Sequence, residues 1–304
     1  MANTRHRHAV IVGLMDHFLA LDIGGTKFGG GVVSEGGDVI SYVAAPTPKG
    51  ASESDLWEIT KRVLHDAADK ANIHEFSSVG IGCGGPMDLD RGLVSPLNIP
   101  GWRDFPLTRS IHDEFDLEVY LNNDGKALTL GEGLFGAGKN VKNFMAMVVS
   151  TGIGGGIILD GRLLGGRLGN AGHVGHVNVE PNGNICSCGA RGCLEAQASG
   201  LNIAKYYGQD PRQATDEVKV LCGEYVGRGV ASVASLLDLE LIVVGGSVAL
   251  GFGEPFFSAA QKELSGRAKL SFSSSAKIAP VGLAEHGPII GAATVAISNQ
   301  RGLF

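Results

Sequence analysis

The chain has little excess charge, few aromatics, few cysteines and no long apolar run. Its 25 Lys and Arg stand against 31 Asp and Glu, for a net charge of −6. Nonspecific grip on nucleic acid needs clustered Lys and Arg to neutralise phosphates, so nucleic acid is not an expected partner. No apolar stretch reaches the roughly 18 residues of a membrane span, so no membrane partner is expected. Five cysteines in 304 residues, an odd count, do not make a disulfide scaffold. Charged residues make up only 18% of the chain and hydrophobic ones 44%, a globular balance. The length fits two domains, each with its own core.

The start carries two arginines and a short apolar run, Ala9 to Met15, like a weak signal peptide. No small-residue cleavage site follows, and the chain runs straight into a strand. Residues 1–17 therefore read as an N-terminal extension, with Met1 and Met15 both candidate starts, and the expected location is cytoplasmic.

Glycine is abundant, at 47 residues, and clustered rather than periodic. Clustered glycine points to tight turns and loops that line ligands with backbone. "FLALDI" (18–23), "GGTKFGGGVVS" and "VISYVAA" (39–45) read as an antiparallel meander. Leu56, Ile59, Val63, Leu64 and Ala67 fall at helical spacing over 54–73, with Ser52 or Ser54 as N-cap. Strands at 78–83 and 117–121, with a helix at 107–115 between them, complete a β-β-β-α-β-α-β order. The pattern then restarts: "FMAMVVS" (144–150) is a strand, "TGIGGG" a turn, "IILD" a returning strand and "GRLL" another. Helices follow 194, and "LELIVVGG" (239–246) is a late strand. "DIGGTKFGGGVV" and "VSTGIGGGIIL" thus form a weak internal repeat of supersecondary structure.

Such loops offer backbone N–H groups and hydroxyls to an anion, and two facing each other could grip a polyphosphate. Two rival nucleotide motifs fail. "GLFGAGKN" (133–140) has Asn140 where a P-loop needs Ser or Thr, and a strand follows where a helix should. "GIGCGG" (80–85) and "GIGGG" (152–156) do not complete a Rossmann fingerprint. "LNNDGKA" (121–127) follows a strand and reads either as a turn or as the setting of a functional carboxylate, Asp124. Three cysteines lie within eight residues, a spacing that in a cytosolic chain favours metal over disulfide. Cys83 and Cys222 are isolated and read as small buried hydrophobes.

In chain order, "DIGGTK" (22–27), "GIGCGGPMD" (80–88), "NIPGW" (98–102), "NDGKA" (123–127), "STGIGGG" (150–156), "AGHVGH" (171–176), "CSCGARGCLEAQASG" (186–200) and "VVGGSVA" (243–249) resemble the ROK family. That family comprises bacterial sugar kinases and related repressors within the actin-like ATPase superfamily. The resemblance implies an α/β, two-domain, actin-like (ribonuclease H-like) fold with an interdomain cleft. It places residues 18–121 with 284–304 in a small domain and 122–283 in a large one carrying a zinc loop. It implies a first phosphate loop of Asp22, Gly24, Gly25, Thr26 and Lys27, with Asp22 near Mg²⁺, and a second of Thr151, Gly152, Gly154 and Gly155. Gly245 and Gly246 would lie by adenosine. Gly85, Asn98, Asn123, Asp124, His173, His176 and Glu195 would line a hexose, with Asp124 as catalytic base. His176, Cys186, Cys188 and Cys193 match a Cys₃His zinc set, which is closed and so structural. The alternative is a group of reduced buried thiols.

The resemblance thus implies an ATP-dependent hexose 6-kinase, with glucose as the first-choice acceptor and a homodimer as the expected assembly. His173 departs from the pattern: many family glucokinases carry Glu in "GExGH", whereas this chain has "GHVGH". N-acetylmannosamine kinases of the family share "AGHxGH", which makes that sugar the alternative. Polyphosphate is a rival donor to ATP. A sugar-responsive regulator is a remoter reading, because only 17 residues precede "FLALDI", too few for a helix-turn-helix unit. A chaperone-like ATPase would need no sugar pocket.

Overall fold

The computed structural model describes residues 16–304. Both candidate starts and the signal-like run lie outside them. Strands β1 (His17–Ile23), β2 (Lys27–Ser34) and β3 (Val39–Pro46) form the expected antiparallel meander. Helix α1 (Glu53–Ala71) follows, with Ser52 as N-cap in a capping box with Asp55. Then come β4 (Ser78–Cys83), a small hairpin of β5 (Met87–Asp88) and β6 (Leu93–Val94), α2 (Leu107–Phe115) and β7 (Val119–Asn123). The first sheet runs β3-β2-β1-β4-β7, with β4 and β7 parallel to β1.

Alternation along β1 decides which side chains face which layer. Leu19, Leu21 and Ile23 join the core under α1 and α2, while Phe18 and Ala20 join the core on the other face. The C-terminal helix α9, introduced last in the chain at Gly287–Arg301, covers that second face. Glycine makes the approach close: a Cβ on Gly80 of β4 would collide with the Ala292 carbonyl of α9.

Between the two sheets lies α3 (Asp124–Phe135). The second sheet takes β8 (Phe144–Val149), β9 (Ile153–Leu159), β10 (Arg162–Leu163), β11 (Leu241–Gly245) and β12 (Lys277–Pro280) in the order β10-β9-β8-β11-β12. Both sheets therefore share one plan: a central strand, an antiparallel hairpin on one side and two parallel strands on the other. The internal repeat read from the glycine motifs is this shared plan.

"TGIGGG" is not a turn as a whole. The turn ends at Gly152, and Gly154, Gly155 and Gly156 lie inside β9, paired with Val148, Met147 and Ala146. The reason is packing by α3. A Cβ on Gly156 would meet the Thr129 hydroxyl of α3 at 2.6 Å, and one on Gly125 of α3 would meet the Gly155 nitrogen at 2.6 Å. Glycine here serves the backbone contact as well as the turn.

The remaining helices are α4 (Leu194–Ala198), the three-residue α5 (Gly200–Asn202), α6 (Asp216–Leu237), α7 (Ser247–Phe252) and α8 (Glu254–Arg267). By length and composition alone α6 could cross a membrane, although charged residues interrupt its apolar run. Half of its most apolar window is buried inside the fold. Val218, Cys222, Val226 and Val230 pack with Phe256, Ala260 and Leu264 of α8, the pattern of a core helix. Cys83 and Cys222 are both fully buried, as small hydrophobes would be.

Candidate functional site

Parallel pairing sets three strand ends level. Ile23, Cys83 and Asn123 are neighbours across β1, β4 and β7, so Asp22 and Asp124 meet at the carboxyl edge of the sheet. Ligands of open α/β sheets gather at such edges. Asn123 caps α3 by accepting the Gly125 N–H at 3.1 Å, and Asp124 accepts the same N–H at 2.8 Å. Asp124 is thus the first residue of a helix, not part of a free turn.

The Asp124 carboxylate disfavours charge on Asp22. Burial first, and then Asp124, push Asp22 up to about 7, against the pull of Lys27. Asp124 is open to solvent on one side, yet the strand ends and helix crowd it enough to raise it too. The Gly125 N–H and His173 oppose that rise. Lys27 itself donates to the Tyr42 hydroxyl at 3.1 Å.

Across from Asp124 stands His173, which also feels the charge of Glu195. Burial holds His173 below the usual histidine range, helped by the nearby charges of His176 and Lys126 and opposed by Asp124 and Glu195. Glu195, second residue of α4, accepts the Ile153 N–H at 3.0 Å and so fixes the start of β9. Gly85, Asn123 and His173 line one pocket together with Lys126, Gly169 and Asn170. Asn98 is not among them. It lies against Gly25, where an added Cβ would come within 2.7 Å, and lines a separate pocket with Thr47, Lys49 and Ile99.

The first glycine loop is tied by the Gly24 N–H to the Lys27 carbonyl at 3.0 Å and by the Thr47 hydroxyl to the Gly24 carbonyl at 2.9 Å. Thr26 accepts from the Thr47 N–H at 3.0 Å. The second loop folds through the Ser150 N–H to the Gly152 carbonyl, and Thr151 accepts from Leu201. Gly246, at φ 96°, backs onto Val149, and the Ser150 and Ser247 hydroxyls meet at 2.9 Å, which joins the Gly245–Gly246 turn to that loop. Gly154 faces open space, while Gly155 and Gly245 are filled against by Ala146 and Val281.

The thiol cluster stands beside this pocket. His176 Nδ1 and Cys186 Sγ are 3.7 Å apart, as are the Cys188 and Cys193 sulfurs, and all four donor atoms lie within 4.8 Å of one another. A tetrahedron with metal–sulfur bonds of about 2.3 Å has edges of about 3.8 Å, so the donor set fits a zinc-sized ion. Burial and the neighbouring Cys188 push the Cys193 thiol up to about 12, while the Ala190 backbone N–H and Cys186 pull the Cys188 thiol down. Cys193 is also the residue before α4, two positions ahead of Glu195. The motifs assign no role to Lys126. It is buried at 3% exposure and faces the same pocket, and its only sequence signal is its place two residues after Asp124.

The edge-on strand ends, paired glycine loops and shared sheet plan are those of the actin-like ATPase class. The ROK family model matches residues 18–299, and the chain belongs to the ROK family. A glucokinase of Thermotoga maritima is 31% identical over 309 residues, covering 91% of this chain and 96% of that protein. An N-acetylmannosamine kinase of Yersinia pseudotuberculosis is 38% identical over 264 residues, covering 82% of this chain and 89% of that protein. The ROK hexokinase of Thermus thermophilus superposes with a TM-score of 0.80 at 33% identity, covering 94% of this chain and 99% of that one.

Proposed function

We propose that the chain is an ATP-dependent hexose kinase that transfers the γ-phosphate to a sugar 6-hydroxyl, with glucose as first choice and Asp124 as general base. The observation that carries this reading is the Asp124 carboxylate at the head of α3, beside Asp22 and facing His173. Its curated relatives support a phosphotransferase acting on sugars.

Gly85, Asn98, Asn123, His173, His176 and Glu195 would hold the sugar. The 22–27 and 151–155 loops would hold the phosphates, with Gly245 and Gly246 at the nucleoside. Mg²⁺ carried by ATP would be held beside Asp22, where it would neutralise phosphate charge. A half-buried carboxylate displaced to about 7 suits that role, because a cation restores its ionised form. Phosphoryl transfer is loose, so positioning and charge do most of the work. The sugar hydroxyl turns acidic only as its bond to phosphorus forms, and a carboxylate that burial raises above its ordinary range is the better acceptor for that proton. Zinc at His176, Cys186, Cys188 and Cys193 would be structural, since four protein donors leave no open position. It would fix the turn bearing His176 and the start of α4 bearing Glu195.

N-acetylmannosamine is the second reading. It is favoured by His173, where a neutral imidazole replaces a carboxylate acceptor, and by the 38% identical relatives. The expected state is a cytoplasmic homodimer. Coupled ADP release with Mg·ATP across glucose, N-acetylmannosamine, N-acetylglucosamine, mannose and fructose tests the reading. Turnover with glucose supports the first choice and turnover with N-acetylmannosamine the second. Turnover independent of sugar, or none with ATP or polyphosphate, overturns the kinase.

A further inference from the structure

Lys126 is a buried cation held by neutral partners. Its ammonium donates to the Gly169 carbonyl at 2.7 Å and to the Gly165 carbonyl at 3.3 Å. Burial pulls it below the usual lysine range, so placing it here carries a cost that those bonds must offset. Bonds from a charged donor are the stronger kind.

What it holds has little stiffness of its own. Residues 164–172 run from β10 to the short helical turn Val174–His176 and include Gly166, Gly169 and Gly172 at φ 76°, 73° and 100°. Two internal backbone bonds brace the segment, Ala171 N–H to Gly165 at 3.0 Å and Gly169 N–H to Gly166 at 3.4 Å. His173 follows this segment directly, and Lys126 lines the same pocket as His173, Gly169 and Asn170. Lys126 also sits two residues beyond Asp124 on α3.

We propose that Lys126 is a positioning residue that ties the glycine-rich wall carrying His173 to the helix carrying Asp124, and so sets the width of the substrate pocket. The kinetic part of this assignment rests on the sugar-kinase reading, whereas the tie does not. Asp124 belongs to α3 and stays in place without Lys126, so loss of the tie weakens sugar binding more than it slows transfer.

Two readouts test it on the full-length protein. Lys126→Met keeps the bulk and removes the donors. The sugar KM should rise about tenfold or more, the effect of one charge-assisted hydrogen bond. The kcat should stay within about threefold, and Lys126→Arg should recover most of the loss. Independently, Arg167 is exposed inside the tied segment, and trypsin cleavage after it, followed by mass, should be several-fold faster in Lys126→Met. Faster cleavage in a protein that phosphorylates no sugar leaves the tie standing while the kinase reading fails. Unchanged KM and unchanged cleavage overturn the proposal. So does a fall in kcat and active fraction with KM unchanged, the signature of a merely structural lysine. Should Met prevent folding, Lys126→Gln serves, and wild-type KM and cleavage in that variant also overturn it.

Discussion

Asp22→Asn is expected to stabilise the fold at neutral pH while removing phosphotransfer. Burial, with Asp124 second, lifts Asp22 from its ordinary 3.8 to about 7. A carboxyl whose value is higher in the folded state binds its proton more tightly there, so ionising it subtracts from stability as pH rises. The subtraction is absent below about pH 4, grows through the window up to about 7, and is complete above it. A displacement of about three units corresponds to a ceiling of about 4 kcal/mol. Asp22 is partly open to the cleft, where water screens the charge, so about 2 kcal/mol is the expected size. For a chain of this length that is a Tm increase of about 4 °C. Thermal unfolding of both proteins, without nucleotide and from pH 4 to 9, measures it. The two Tm curves should meet near the acid end and separate toward neutrality, and Mg·ATP should narrow the gap by stabilising the wild type more than the variant. A constant offset, or no difference at any pH, would refute the reasoning, because only a titrating group makes the difference depend on pH.

Three further outcomes are expected. Asp124→Asn should lower kcat by a factor on the order of 10²–10⁴ and leave sugar affinity by calorimetry within a few-fold, since Asn can still accept the Gly125 N–H. Equal losses in rate and affinity would contradict the base role. Chelation or Cys188→Ser should lower Tm and sugar affinity together, and a zinc-free protein with normal kinetics would remove the structural role assigned to the cluster. Ser52→Ala removes the acceptor for the Asp55 N–H at 3.2 Å and should cost about 1 kcal/mol by urea unfolding with activity intact.

The first meander and α1 were legible because alternation and helical spacing are local signals, and Ser52 followed by Asp55 marks the helix start directly. Helix α3 was not. Gly125, Gly131 and Gly133 lower its intrinsic propensity, and what rescues it is tertiary: Gly125 lies on Gly155, and Gly131 lies on Gly291 of α9. The same contacts explain why "TGIGGG" looked like a turn, since a strand that must admit a helix backbone carries the residues of a loop. Asp22 and Asp124 were each visible in a motif, but their adjacency comes from parallel pairing across β4, which no local window contains. The place of Asn98 beside Gly25 likewise depends on a contact between distant loops. Lys126 escaped because a lysine near a helix start reads as a solvated charge, and only the position of the 165–169 carbonyls shows it to be buried.

Between β10 and α4, residues 164–193 contain only a single turn of 3₁₀ helix and isolated bridges. Their shape is pinned at two points, by Lys126 of α3 at one end and by the segment's own His176, Cys186, Cys188 and Cys193 set at the other. Both sheets are built without this segment. Its constraints are therefore point-like: between Lys126 and the four cluster residues no sheet register ties its sequence to the strand ends, the glycine loops or Asp124. Grafting the corresponding stretch from a relative is expected to transplant one wall of the pocket and leave the carboxyl edge of the first sheet in place.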